Sequence, residues 1–213
     1  MAGQIVLAMV IGYLLGSIPC AYLIGRLVKG VDIRKMGGGN MGAVNTMREI
    51  GTLPGFGVLF ADMAKGALAV LIARELGLHP YWVFAVGLVA VAGHNWPVWL
   101  KFRGGQGLAT TMGVLLVFSP IPFAISAAIL VVAVIFTSNV RLSAVVGFIF
   151  LPPLIWAFGG ELSVILYSIA LPVFCLLKTM PHFRSAVDRA GDEKKGLIVD
   201  RDYTPWQTKK KSD

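Results

Sequence analysis

The stretch Gly107–Thr137 reads GLATTMGVLLVFSPIPFAISAAILVVAVIFT, and the number of helices it holds decides the fold. None of its residues is charged, so it belongs in a membrane on either reading. Pro120 and Pro122 interrupt it, because each removes a backbone donor and crowds the turn before it. We therefore read two short spans, 107–119 and 121–137. The other apolar runs are 4–25, 53–73, 81–100, 142–158 and 161–177. A bilayer takes about 20 residues per helix, so most of these runs are near the length of a single crossing.

Charge then sets the count. Of the 19 Lys and Arg residues, loop 26–52 holds five, loop 101–106 two, Arg141 is one more, and nine follow from Lys178 onward. Seven crossings place all of these on one face, leaving only Lys65 within a span and Arg74 opposite. Six crossings would put the basic tail outside, against the positive-inside rule. The expected fold is an all-α polytopic membrane bundle of seven spans, N-terminus out and C-terminus cytoplasmic. Residues 1–187 form the membrane domain, and residues 188–213 a basic polar tail ending in Lys209-Lys210-Lys211.

Composition excludes a soluble enzyme carrying an anchor. The chain is 56% hydrophobic and 14% charged, where soluble domains carry about a quarter charged residues. The run Ile5–Ile24 lacks a basic leader and is too long for a signal h-region, so we read it as a retained span. Cys20 and Cys175 fall inside apolar runs and read as buried thiols. Three histidines and two separated cysteines offer no metal-ligand spacing, so neither metal nor cofactor is expected. The net charge of +8 suits anionic lipid headgroups, and nothing in the tail reads nucleic acid.

Two glycine-rich basic loops carry the functional signal. The first runs Arg34-Lys35-Met36-Gly37-Gly38-Gly39-Asn40-Met41-Gly42-Ala43-Val44-Asn45-Thr46-Met47-Arg48, the second Lys101-Phe102-Arg103-Gly104-Gly105-Gln106-Gly107. Glycine lets backbone approach a ligand closely, and successive N–H groups cradle phosphate oxygens. Residues 37–42 match G-x-G-x-x-G literally. A membrane helix precedes them instead of a strand, which excludes the dinucleotide reading. The second loop opens a helix, whose positive end favours an anion. On the seven-span reading both loops share the cytoplasmic face, where a water-soluble phosphorylated substrate meets lipid. Asp62 and Lys65 lie three residues apart inside a span, so they should pair or face a polar cavity. His94 sits beneath the second loop. These three are expected to be structural.

These residues resemble the bacterial integral-membrane glycerol-3-phosphate acyltransferases that use acyl-phosphate, the PlsY family. The likeness covers nearly the whole chain. It starts at Gly16-Ser17-Ile18-Pro19 and continues through Asp32-Ile33-Arg34-Lys35, the first glycine loop, and Asp62 with Lys65-Gly66. It then takes in Gly93-His94, Pro97-Val98-Trp99-Leu100-Lys101-Phe102-Arg103-Gly104-Gly105, Gly107, Ala109-Thr110 and Gly113. The resemblance implies acyl transfer from acyl-phosphate to the 1-hydroxyl of sn-glycerol 3-phosphate, giving lysophosphatidic acid at the bacterial inner membrane. It implies Arg48, Asn45 and His182 as catalytic residues. Gly37, Gly38, Gly39, Asn40, Gly42, Lys101, Gly104, Gly105, Gln106 and Gly107 are implied as substrate-binding, and Glu193 as structural. The enzymes that form the acyl-phosphate and perform the second acylation are the implied partners. Four positions depart from the family pattern. Gly38 replaces a serine, Val44 a threonine, Gln106 a lysine and Arg184 an asparagine. An alternative therefore stays open: a non-catalytic or differently specific relative that binds a phosphorylated lipid or polyol. A small organic-phosphate transporter is weaker, since no inverted repeat is visible.

Overall fold

The computed structural model describes residues 1–190, the side chains of Arg141 and of residues 179–190 excepted. The side chains of His182 and Arg184, and Glu193 with the rest of the tail, lie outside the described residues. Among the described residues the chain is all helix and turn, without a strand. In chain order the helices are α1 (Ala2–Gly16), α2 (Cys20–Lys29), α3 (Ala43–Glu49), α4 (Thr52–Glu75), α5 (Pro80–Asn95), α6 (Leu108–Phe118), α7 (Pro120–Thr137), α8 (Val140–Ala157) and α9 (Leu162–Ala190).

The stretch that decided the count is two helices. Ser119 leaves the helical conformation at φ −147° and ψ 75°, and Pro120 opens α7. At the first turn its missing N–H is no loss. Four segments are each long and apolar enough to cross a membrane: Ala2–Lys29, Thr52–Glu75, Pro80–Leu100 and Pro120–Thr137. Leu108–Phe118, Leu142–Ala157 and Leu162–Lys178 are apolar but shorter.

Three features differ from the expected spans. The first run is not one helix, because Ser17-Ile18-Pro19 separates α1 from α2. Helix α3 forms inside the first loop, and α9 continues past residue 187 to Ala190. The last two reflect local helical continuity in polar sequence, which an apolar-run criterion does not see.

Lipid supplies no hydrophobic force between helices, so small residues that let backbones meet do the packing. Gly12 and Gly16 of α1 lie against Val86 and Ala90 of α5, and Gly93 of α5 returns against Tyr13, Gly16 and Ser17. Gly66 of α4 meets the Thr110 backbone of α6, and Gly113 of α6 meets the Met63 backbone of α4. Val70, Val86, Val91, Val114, Leu115, Leu151 and Leu171 fill the centre. A second cluster of Ile33, Met41, Ile50, Val58 and Leu100 seats the glycine loops on the bundle.

Candidate active site

The first loop begins where Gly30 ends α2 in the left-handed conformation, φ 68°. Asp32 then accepts from the Arg34 backbone N–H at 3.1 Å and from its guanidinium at 2.9 and 2.7 Å. That two-pronged bond to Arg34 holds the Asp32 carboxyl down at about 2 and raises the guanidinium further. The glycine segment is shaped by Asn45. Its Nδ2 donates to the carbonyls of Ile33 and Met36, at 3.4 and 3.2 Å, while its Oδ1 accepts from the Gly38 N–H at 3.2 Å. Gly37 and Gly39 stand at φ 53° and 67°, a region where a side chain would be strained.

The second loop is held by the end of α5. The last carbonyls of a helix have no partner within it, and here they are taken from outside. His94 O accepts from the Gly105 N–H at 3.1 Å, Asn95 O from Lys178 Nζ, and Trp96 O from the Tyr13 hydroxyl at 2.8 Å. Lys101 and Phe102 both adopt left-handed backbone, φ 54° and 58°. This turns the chain sharply before Gly104 packs on the His94 and Asn95 backbone.

Beneath both loops lies a buried charged group. Lys65 Nζ sits 2.7 Å from Asp62 Oδ1, and His94 Nδ1 lies 3.5 Å from the same oxygen. Lys65 also donates to Ile18 O at 2.9 Å, a carbonyl in the break between α1 and α2. Removing one partner would strand a buried charge, which costs about 3–5 kcal/mol. His94 Nε2 lies directly under Gly105, so close that a Cβ there would overlap it. The group thus ties the helix break, α4, α5 and the second loop into one unit.

The two loops come together. Gly38, Gly39 and Asn40 of the first loop and Gly104, Gly105 and Gln106 of the second form the walls of a cleft that Lys178 of α9 also lines. With its open mouth the cleft measures about 410 Å³. The other expected binding residues stand outside this lining. Gly37 and Gly42 belong to the turns behind the first wall, and Gly107 is buried at the start of α6 against the Asn95 side chain. Lys101 is exposed on the outer turn, and Arg48 is exposed on α3. Lys178 was missed from sequence, where it counted only as the first charge of the tail. The available signal was its position, closing the last apolar run at the same end of the bundle as both loops.

Fold and site together define a multi-pass membrane protein with a glycine-walled polar cleft at one end of its helices. The glycerol-3-phosphate acyltransferase family model matches residues 6–189, and the chain belongs to that family. Glycerol-3-phosphate acyltransferase 2 of Moorella thermoacetica is 40% identical over 189 residues, covering 89% of this chain and 96% of the relative. Glycerol-3-phosphate acyltransferase 4 of Dehalococcoides mccartyi is 45% identical over 169 residues, covering 78% and 90%. Among solved structures, PlsY (YgiH), an integral membrane glycerol 3-phosphate acyltransferase, superposes in its glycerol 3-phosphate form with a TM-score of 0.78 at 30% identity. That match covers 86% of this chain and 92% of the other. The lysophosphatidic acid form gives 0.76 at 29%, with the same coverage.

Proposed function

We infer that this chain transfers a fatty acyl group from an acyl-phosphate to the 1-hydroxyl of sn-glycerol 3-phosphate, releasing lysophosphatidic acid and inorganic phosphate. The observation that carries the reading is the convergence of two glycine loops on one cleft, in a fold whose solved relative is known in glycerol 3-phosphate and lysophosphatidic acid forms. The donor is a mixed anhydride and already activated. The acceptor hydroxyl oxygen attacks the acyl carbon, the bond from that carbon to the phosphate oxygen breaks, and the departing phosphate takes the hydroxyl proton. The protein's task is to hold two phosphate-bearing molecules together and neutralise them. The N–H groups of Gly38, Gly39 and Gly105 are already taken by Asn45, Met36 and His94. The donors the walls offer are therefore the N–H groups of Asn40, Gly104 and Gln106 with the Asn40 and Gln106 amides, and Asn45 contributes by fixing the shape of the first wall. Arg48 and His182 remain the proposed catalytic side chains.

The orientation follows the same logic. Both loops and the end of α9 meet at one end, so an even number of crossings must separate Asn95 from Lys178. Helices α6 to α9 supply four. Counting α1 with α2 as one, then α4 and α5, gives seven crossings. The positive-inside rule turns the cleft toward the cytoplasm, and the acyl chain lies among the helices.

The test uses purified protein in lipid, palmitoyl-phosphate and labelled glycerol 3-phosphate, with lysophosphatidic acid as readout. The wild type is expected to form product and Arg48→Ala to form none. Full turnover by Arg48→Ala would overturn its proposed catalytic role. A silent wild type beside an active Gly38→Ser/Gln106→Lys double variant would establish the alternative, a retained scaffold without this reaction.

A further inference from the structure

We propose that Lys178, from the last helix, is the cation that neutralises substrate phosphate in the cleft. The proposal rests on the acyl-transfer reading above and names a residue that it leaves unassigned. Both walls are uncharged: the first offers Gly38, Gly39 and Asn40, and the second ends in the amide of Gln106. A phosphate dianion held by peptide N–H groups alone would keep most of its charge, and a desolvated site needs a cation against it. Lys178 is the ionisable residue among those lining the cleft. Its ammonium donates to Asn95 O and lies 4.3 Å from the centre of the Trp96 ring. A carbonyl occupies one of three ammonium donors, and the ring face attracts the cation without consuming a donor. Among the described residues Lys178 is paired with no carboxylate. It is thus a positioned charge with donors to spare, facing a cleft walled by glycine.

A purely structural reading of the same contacts makes Lys178 a cap on the end of α5, and the variants separate the two. Lys178→Gln keeps a donor for Asn95 O and loses the charge. Lys178→Met loses both. Lys178→Met/Gln106→Lys returns a charge to the cleft from the second wall without restoring the cap. KM is measured separately for glycerol 3-phosphate and for palmitoyl-phosphate, and the dissociation constant for glycerol 3-phosphate and for inorganic phosphate by calorimetry. Lys178→Gln is expected to raise one KM about 10- to 100-fold, the loss expected for one charge-assisted hydrogen bond. The substrate affected identifies which phosphate the lysine meets. The double variant is expected to recover most of that loss. Wild-type constants in Lys178→Gln, or no recovery in a double variant that elutes and melts as folded protein, would overturn the proposal. If the wild type turns over nothing, the acyl-transfer reading fails, and the binding constants still decide the role of Lys178. Weaker phosphate binding in Lys178→Gln supports it, and equal binding refutes it.

Discussion

Gly38 and Gly105 stand on opposite walls of the cleft in opposite surroundings. A Cβ on Gly38 would have nothing within 4 Å, and the backbone there is not left-handed. A Cβ on Gly105 would run into the His94 ring and the Met41 carbonyl. One glycine leaves space and the other fills it. Gly38→Ser should therefore leave the melting temperature in detergent unchanged and place a hydroxyl in the cleft. Gly105→Ala must push the second loop off His94. A misplacement of about 1 Å can cost on the order of 100-fold in a positioned reaction, so its KM for glycerol 3-phosphate should rise at least about tenfold. Equal KM values for Gly105→Ala and wild type would mean that the second wall does not position substrate. At this scale the sequence marks candidate residues without their contacts. The motif marks Asn45 as a candidate. That all three of its hydrogen bonds go to the loop backbone depends on a turn that no pattern encodes. Lys178 was hidden because its partners, Asn95 and Trp96, lie more than 80 positions away.

Helices in this bundle meet through glycine, which makes one chemical change opposite in effect at two sites of α4. Gly57 has open room: an added Cβ would make ordinary contact with Ile24 at 3.5 Å. Replacing a mid-helix glycine by alanine contributes about 0.5–1 kcal/mol, so Gly57→Ala should melt at or above the wild type. At Gly66 the added carbon would overlap the Thr110 backbone, and backbone cannot rotate away. Overpacking of this kind costs about 1–3 kcal/mol or more. Gly66→Ala should melt lower, read as size-exclusion recovery after heating. A Gly66→Ala protein as stable as Gly57→Ala would mean that α4 and α6 do not pack as described. The elements themselves were largely readable, since uninterrupted apolar runs in a membrane have only helix available to them. The break at Ser17-Ile18-Pro19 was not. A single proline inside an apolar run does not by itself mark a break, whereas Pro120 and Pro122 were joined by the charge count in giving two spans. What stabilises the break is Lys65 on α4, a tertiary contact.

Across the whole molecule, charge and packing gather the same segments at one end of the bundle. The distribution of basic residues in the sequence requires both loops and the tail on one face. The structure brings both loops and Lys178 to a single cleft and leaves Arg74 at the other end, bonded to Val117 O at 3.2 Å and over the Phe118 ring. On the loop face, Trp99 and Phe102 are 61% and 57% exposed beside Lys101 and Arg103, the mixture of aromatic and basic side chains that sits at a membrane interface. Cys20 and Cys175 are both buried, so an introduced cysteine reports its own location. In intact cells a membrane-impermeant maleimide is expected to label Glu161→Cys, between α8 and α9. Arg103→Cys, in the second loop, should react only after permeabilisation. The reverse pattern would invert the bundle and place the cleft outside. Labelling of both in intact cells would mean an odd number of crossings between positions 103 and 161 is wrong, and with it the reading of Gly107–Thr137 as two spans.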